Sequence, residues 1–156
     1  MRIPVNDYKV TSRYGIRKDP SGRTEKEEFH DGIDFVSKKG DLRVYAICPG
    51  KIIYDFDGYD EKLRWNDKHH SAGNMLIQEI DWNGKIYYVR YLHLIGNFVK
   101  KNEAVTESQI IGEYGDVGYS FGPHLHFDFY DSIWKKLNPE PLFFGLITAP
   151  GAEGVA

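Results

Sequence analysis

Short apolar runs, broken at close intervals by turn-forming residues, set the pattern of the chain. Residues 43–47 and 51–54 flank Pro49-Gly50 and read as two strands around a turn. Residues 74–82 and 85–92 are joined by Asn83-Gly84, the pairing best suited to a two-residue hairpin. Residues 109–114 and 124–130 complete the strands. No segment sustains a 3.6-residue period, so helices are expected to be few and short. The pattern predicts a mainly β domain, a single antiparallel sheet whose long loops form a groove.

Two polar loops stand out. One spans residues 19–28 and precedes a histidine. The other spans residues 55–73 and carries Trp65, His69 and His70. Long loops on a small β domain shape binding grooves, and the second is expected to form one groove wall and set specificity. Residues 148–156 are small and polar and are expected to be a disordered tail, which leaves residues 1–147 as one domain.

Composition narrows the possibilities. At 156 residues the chain fits one domain with a real core. An aromatic share of 15%, with 11 tyrosines, favours strands. A net charge of -3 and the absence of any Lys/Arg block argue against a nucleic-acid partner. Residues 1–6 contain no apolar core of signal-peptide length, and no run is long enough for membrane insertion. The protein is therefore expected to be soluble and monomeric. It is either a trimmed piece or reaches its target without an amino-terminal signal. The single cysteine, Cys48, excludes a disulfide framework and a multi-cysteine zinc knuckle. Between Ile47 and Pro49-Gly50 it reads as a buried small hydrophobe.

The histidines carry the candidate chemistry. In His124-Leu125-His126 the two-residue period of a strand puts both imidazoles on one face. In His30-Asp31-Gly32-Ile33-Asp34 a bend at Gly32 can turn His30 and Asp34 toward one point. Zinc takes imidazole nitrogen and carboxylate oxygen, and a catalytic site has three protein ligands plus an open position. Two histidines and one aspartate meet that count. His93, in Tyr91-Leu92-His93-Leu94, reads alone as a satisfied core histidine. His69-His70 read as surface residues. Asp55-Phe56-Asp57-Gly58-Tyr59-Asp60 has its glycine misplaced for a calcium loop and reads as a turn. The glycines between Gly112 and Gly122 lack the Lys-Ser/Thr of a phosphate loop.

Taken in order, these pieces resemble the lysostaphin-like zinc peptidases of the M23 group over residues 11–144. The matching stretches begin with Thr11-Ser12-Arg13-Tyr14-Gly15-Ile16-Arg17 and the H-x-x-x-D of His30-Asp31-Gly32-Ile33-Asp34. Gly73-Asn74 and Tyr91-Leu92-His93-Leu94 follow. Ile111-Gly112-x-x-Gly115-x-x-Gly118-Tyr119-Ser120 leads to the H-x-H of His124-Leu125-His126, and Asn138-Pro139 closes the match. The resemblance implies the family's lysostaphin-like fold over residues 1–147, with Zn2+ held by His30, Asp34 and His126. It implies His93 and His124 as catalytic residues that do not bind metal. The implied activity is hydrolysis of peptide bonds in bacterial peptidoglycan through a metal-activated water. His124 is placed to take the water's proton, and His93 either stabilises the oxyanion or positions the water. Which of them is the base stays open.

Many family members have Ser-Thr-Gly where this chain has Ser120-Phe121-Gly122, so Phe121 either narrows the groove or lines it. The glycines around Gly118 either admit substrate backbone or simply form tight turns. The implied place of action is the cell envelope, the extracellular space or a phage particle, with the active site open once zinc is bound. The alternative is a non-catalytic zinc-binding relative, a wall-binding module or an amidase activator. It is disfavoured because all five residues are present.

Overall fold

The computed structural model describes residues 1–58 and 71–148, with side chains described to Gly145. Trp65, His69 and His70, and the tail from Ala149, lie outside the described residues. In chain order the elements are β1 (Tyr8–Ser12), β2 (Gly15–Lys18), β3 (Glu27–His30), β4 (Ile33–Ser37), β5 (Arg43–Tyr45) and β6 (Gly50–Phe56). They continue with β7 (Asn74–Trp82), β8 (Lys85–Asn97), β9 (Ala104–Val105), β10 (Ile110–Tyr114), β11 (Leu125–Tyr130), β12 (Lys136–Leu137) and α1 (Glu140–Thr148). The fold is mainly β, as the apolar pattern predicts. The main sheet runs β1-β4-β11-β8-β7-β6-β9, with β10 joining β8 to β5 and β12 beside β11. Its pairs are antiparallel, and β2 and β3 form a separate hairpin.

The strands expected from the sequence appear as β5 to β8, β10 and β11. The amino-terminal strands β1 to β4 were not among them. Tyr8–Ser12 and Glu27–His30 mix Lys, Thr and Glu with few apolar residues; β1 is ordered by pairing with β4, and β3 by pairing with β2. The β7–β8 turn is as expected. Asn83 and Gly84 have φ of 55° and 76°, the left-handed pair that matches strand twist, and Trp82 faces Lys85.

Period-two alternation divides the sheet into two chemically distinct faces. Ile33 and Phe35 of β4, Val89 and Tyr91 of β8, and Leu125, Phe127 and Phe129 of β11 are fully buried in one core. Their sequence neighbours Asp34, Arg90, His126 and Asp128 therefore point to the opposite face. Helix α1 covers the apolar side. Asn138 Oδ1 accepts from the Glu140 amide at 3.0 Å where the chain enters the helix, and Pro139 immediately precedes its first residue. Phe143 packs edge-on to Phe35 and Phe127, while Arg13 clamps the buried Glu140 carboxylate.

The core contains one buried polar chain. The Tyr91 hydroxyl donates to Gln78 Oε1 at 2.7 Å and accepts from the Ile47 amide at 3.2 Å. Gln78 Nε2 donates to the Cys48 carbonyl at 2.7 Å. Every member is partnered, which offsets its desolvation. Cys48 is 7% exposed, as its setting before the turn predicted, and burial pushes its thiol up to about 11.

Gly32, between β3 and β4, has a steric reason to lack a side chain. A Cβ there would lie 2.5 Å from His126 Nε2 and 2.6 Å from the Phe127 carbonyl oxygen. Gly96 of β8 has only the Phe98 ring at 3.5 Å.

Gly32→Ala is therefore expected to cost about 1–3 kcal/mol through overpacking, whereas Gly96→Ala should be nearly neutral. Thermal unfolding of the two variants checks this, and equal midpoints would remove the argument. Cys48 should resist alkylation at pH 8 in the folded protein and react on unfolding, because the thiolate is the reactive form. Rapid stoichiometric labelling of native protein at that pH would contradict the burial.

Candidate metal centre

On the polar face three elements deliver three donor atoms to one point. His126 of β11 lies directly opposite Asp34 of β4 in the antiparallel register. His30 arrives from the end of β3, turned by the bend at Gly32. His126 Nδ1 is 3.0 Å from Asp34 Oδ1, His30 Nε2 is 3.2 Å from the same oxygen, and the two nitrogens are 3.1 Å apart. Donors on a tetrahedral ion with bonds of 2.0–2.2 Å are separated by about 3.3–3.6 Å. An outward shift of a few tenths of an ångström would bring this triangle to the dimensions of a three-ligand metal site. All three residues are buried, and the donor set of two imidazoles and a carboxylate suits that ion.

The electrostatics agree with this geometry. Burial raises the Asp34 carboxyl, but hydrogen bonds from His126 and His30 and the charges of His124 and His126 outweigh it. Asp34 is held below the usual carboxylate range. Burial likewise lowers His126, yet Asp128 and Asp34 overcome it and raise the imidazole to about 9. A proton and a metal ion compete for that nitrogen.

His93 and His124 line the open side. Their ring centroids are 4.8 Å apart, and His124 Nε2 is 3.7 Å from Asp34 Oδ1. Each imidazole is oriented through Nδ1. His124 Nδ1 is 2.8 Å from the Gly122 carbonyl, and His93 Nδ1 is 2.7 Å from the Val117 carbonyl. In a neutral imidazole such a bond puts the proton on Nδ1 and leaves Nε2 as an acceptor. Burial, reinforced by the charges of His124 and His126, lowers His93 to about 3 and keeps it neutral.

The position of His93 depends on a bulge. Asn74 faces Leu94, but Leu76 faces Tyr91, so β8 carries one residue more than β7 between these pairs. Strict alternation would send His93 to the core face with Tyr91. The extra residue lets Tyr91 and Leu94 both enter the core while Leu92 and His93 both line the groove. His93 has φ of 63°, and its amide donates to the Ala72 carbonyl at 2.8 Å. Beside it Gly118 has φ of 82°, and a Cβ there would lie 2.4 Å from the Gly73 nitrogen. Loop-to-loop packing and the positive φ account for that glycine.

Several residues of the site had not been picked out from the sequence. Asp128 Oδ2 is 3.5 Å from His126 Nε2, and Arg90 Nε donates to the other oxygen of Asp128 at 2.8 Å. Lys136 contacts both Asp31 and Asp128. Asp128 was legible, since it continues the two-residue period of His124 and His126. Arg17, which donates to Asp34 Oδ2 at 3.2 Å from the β2–β3 hairpin, leaves no signal in spacing. The surrounding groove has a volume of about 750 Å³, and Phe29, Tyr119 and Phe121 are among the residues that line it. Phe121 lines it, its ring edge-on to Tyr119.

Residues 28–139 match Peptidase family M23. Peptidoglycan DD-endopeptidase ShyB of Vibrio cholerae is 38% identical over 131 residues, covering 81% of this chain and 26% of that protein. Lysostaphin of Staphylococcus simulans is 34% identical over 125 residues, covering 79% of this chain and 22% of that protein. The chain thus spans about a quarter of the length of these curated relatives. The solved catalytic domain of Staphylococcus simulans lysostaphin superposes with a TM-score of 0.66 at 30% identity, covering 88% of this chain and 92% of that domain. A zinc-containing peptidase from Vibrio cholerae gives 0.64 at 33% identity, covering 86% and 37%. With the family match extending from β3 to the start of α1, the chain belongs to peptidase family M23.

Proposed function

We propose that the protein is a zinc-dependent endopeptidase that hydrolyses peptide bonds in bacterial peptidoglycan, acting at the cell envelope. The observation that carries this reading is the convergence of His30 Nε2, Asp34 Oδ1 and His126 Nδ1 on one point, with two further imidazoles on its open side. His30, Asp34 and His126 are the metal ligands. Zinc held there supplies Lewis acidity toward a peptide carbonyl and makes water acidic enough to ionise near neutrality.

The remaining steps belong to the chain's own side chains. His124, with its Nδ1 proton committed to the Gly122 carbonyl, offers the Nε2 lone pair to the attacking water and takes its proton. It then hands that proton to the leaving nitrogen. His93 is neutral and presents an acceptor Nε2, which suits it to orienting the water rather than donating to an oxyanion. The neighbouring aromatic side chains of the groove hold the peptide and exclude water from it. The peptidoglycan substrate is supported by what the relatives ShyB and lysostaphin are, and by a groove open enough for an extended peptide. Among the described residues no helix is long and apolar enough to cross a membrane.

His30→Ala and His126→Ala are expected to lose bound zinc and hydrolysis together, as equilibrium dialysis with metal analysis will report. His124→Ala should retain stoichiometric zinc while turnover falls roughly 10²- to 10⁴-fold. Zinc lost from His124→Ala but kept by His126→Ala would overturn the assignment. Digestion of peptidoglycan from several wall types, followed by mass spectrometry, should release new peptide termini that require zinc and His124. Stoichiometric zinc with no cleavage of any wall would favour a non-catalytic binding or activating role.

A further inference from the structure

The guanidinium of Arg17 touches the ligand cluster from outside and joins three elements. Nη1 donates to Asp34 Oδ2 at 3.2 Å and to Ser12 Oγ at 2.9 Å. Nε and Nη2 donate to Glu28 Oε1, across the hairpin, at 2.9 and 2.7 Å. Ser12 Oγ in turn lies 3.2 Å from His30 Nδ1, whose proton goes to the Arg13 carbonyl at 2.8 Å. One side chain on β2 therefore reaches β1, β3 and β4. Through them it bears on two of the three donors.

A carboxylate can give a metal one oxygen or two. In Asp34, Oδ1 faces His30 and His126, and Oδ2 is the atom that Arg17 holds. We propose that Arg17 is a positioning residue of the metal centre, an inference that rests on the zinc reading above. By occupying Oδ2 it confines Asp34 to a single-oxygen contact through Oδ1, which keeps the fourth coordination position free for the reaction. By bridging Glu28 and Ser12 it also fixes the hairpin whose last residue is His30.

The charge balance suits this role. A lone guanidinium beside a cation site would repel the ion, but Glu28 offsets its charge. What remains is directed hydrogen bonding from a rigid fork. Asp34 and Arg17 are 8% and 24% exposed at their side chains, so solvent competes little for the contact. Lysine would restore the charge but not the three-way fork.

The competing account is that Arg17 merely staples the hairpin to the sheet. That account predicts a lower thermal midpoint with unaltered metal binding. Zinc affinity, measured by competition with a chromophoric chelator, separates the two. Arg17→Ala should bind zinc roughly 10- to 100-fold more weakly than wild type, with Arg17→Lys recovering only part of the loss. Cobalt-substituted Arg17→Ala should also show a weaker visible absorption band, as Asp34 swings to bind through both oxygens and the coordination number rises. Affinity within about twofold of wild type with an unchanged cobalt spectrum overturns the proposal, whatever the midpoint does. Should Arg17→Ala not fold, Glu28→Gln keeps Arg17 but removes its orienting carboxylate. Weaker zinc binding there supports the proposal and unchanged binding overturns it. Wild-type protein that takes up neither zinc nor cobalt removes the zinc reading itself, and this inference with it.

Discussion

His126 and Asp34 face each other across adjacent antiparallel strands, and everything at the site depends on that register. Directly opposed residues on one face have Cβ atoms about 4.5–5.5 Å apart, close enough for their polar atoms to meet. A slip of one residue would turn His126 into the core and bring Leu125 or Phe127 to the surface. The register is secured from the other side of the sheet, where Ile33, Phe35, Leu125 and Phe127 are fully buried. The apolar face thus holds the polar face in place. Stability and candidate chemistry alternate along the same strands.

Around this pair the fold tightens by excluding side chains and partnering polar atoms. Gly32 allows the His126 ring to sit against the β3–β4 bend. Each of the four site histidines is oriented through one ring nitrogen. The Arg13, Gly122 and Val117 carbonyls serve His30, His124 and His93, and the Asp128 carboxylate serves His126. Such outer contacts choose tautomers and ring angles. Asp128 is itself held by Arg90 and Lys136, so the support reaches several residues beyond the centre.

Legibility in the sequence followed periodicity. Strands with strong apolar alternation, and the Asn83-Gly84 turn, could be placed because their signals are local. His124-Leu125-His126 could be placed on one face for the same reason, and Asp128 two residues later was available by the same rule. Strands β1 to β3 lacked that signal, because they mix polar and charged residues with few apolar ones. Arg17 was legible only as the end of the first matching stretch, and its contact with Asp34 was not, since its hairpin meets Asp34 only through folding. The motif order carried the resemblance to the family, and the family match and the superposed structures agree with it.

What the sequence by itself determined is the type of sheet, the two-faced character of its strands and the set of groups able to bind a metal. All of these follow from local spacing and side-chain chemistry. His93 marks the boundary. Alternation assigns it to the core, yet one extra residue in β8 opposite β7 sends it to the groove. A bulge arises when two strands are forced into register at both ends with unequal lengths between, and no single strand records its partner's length. The three-way grip of Arg17 has the same origin. Tertiary structure alone decided these features, because each depends on the distance between segments that are far apart in the chain.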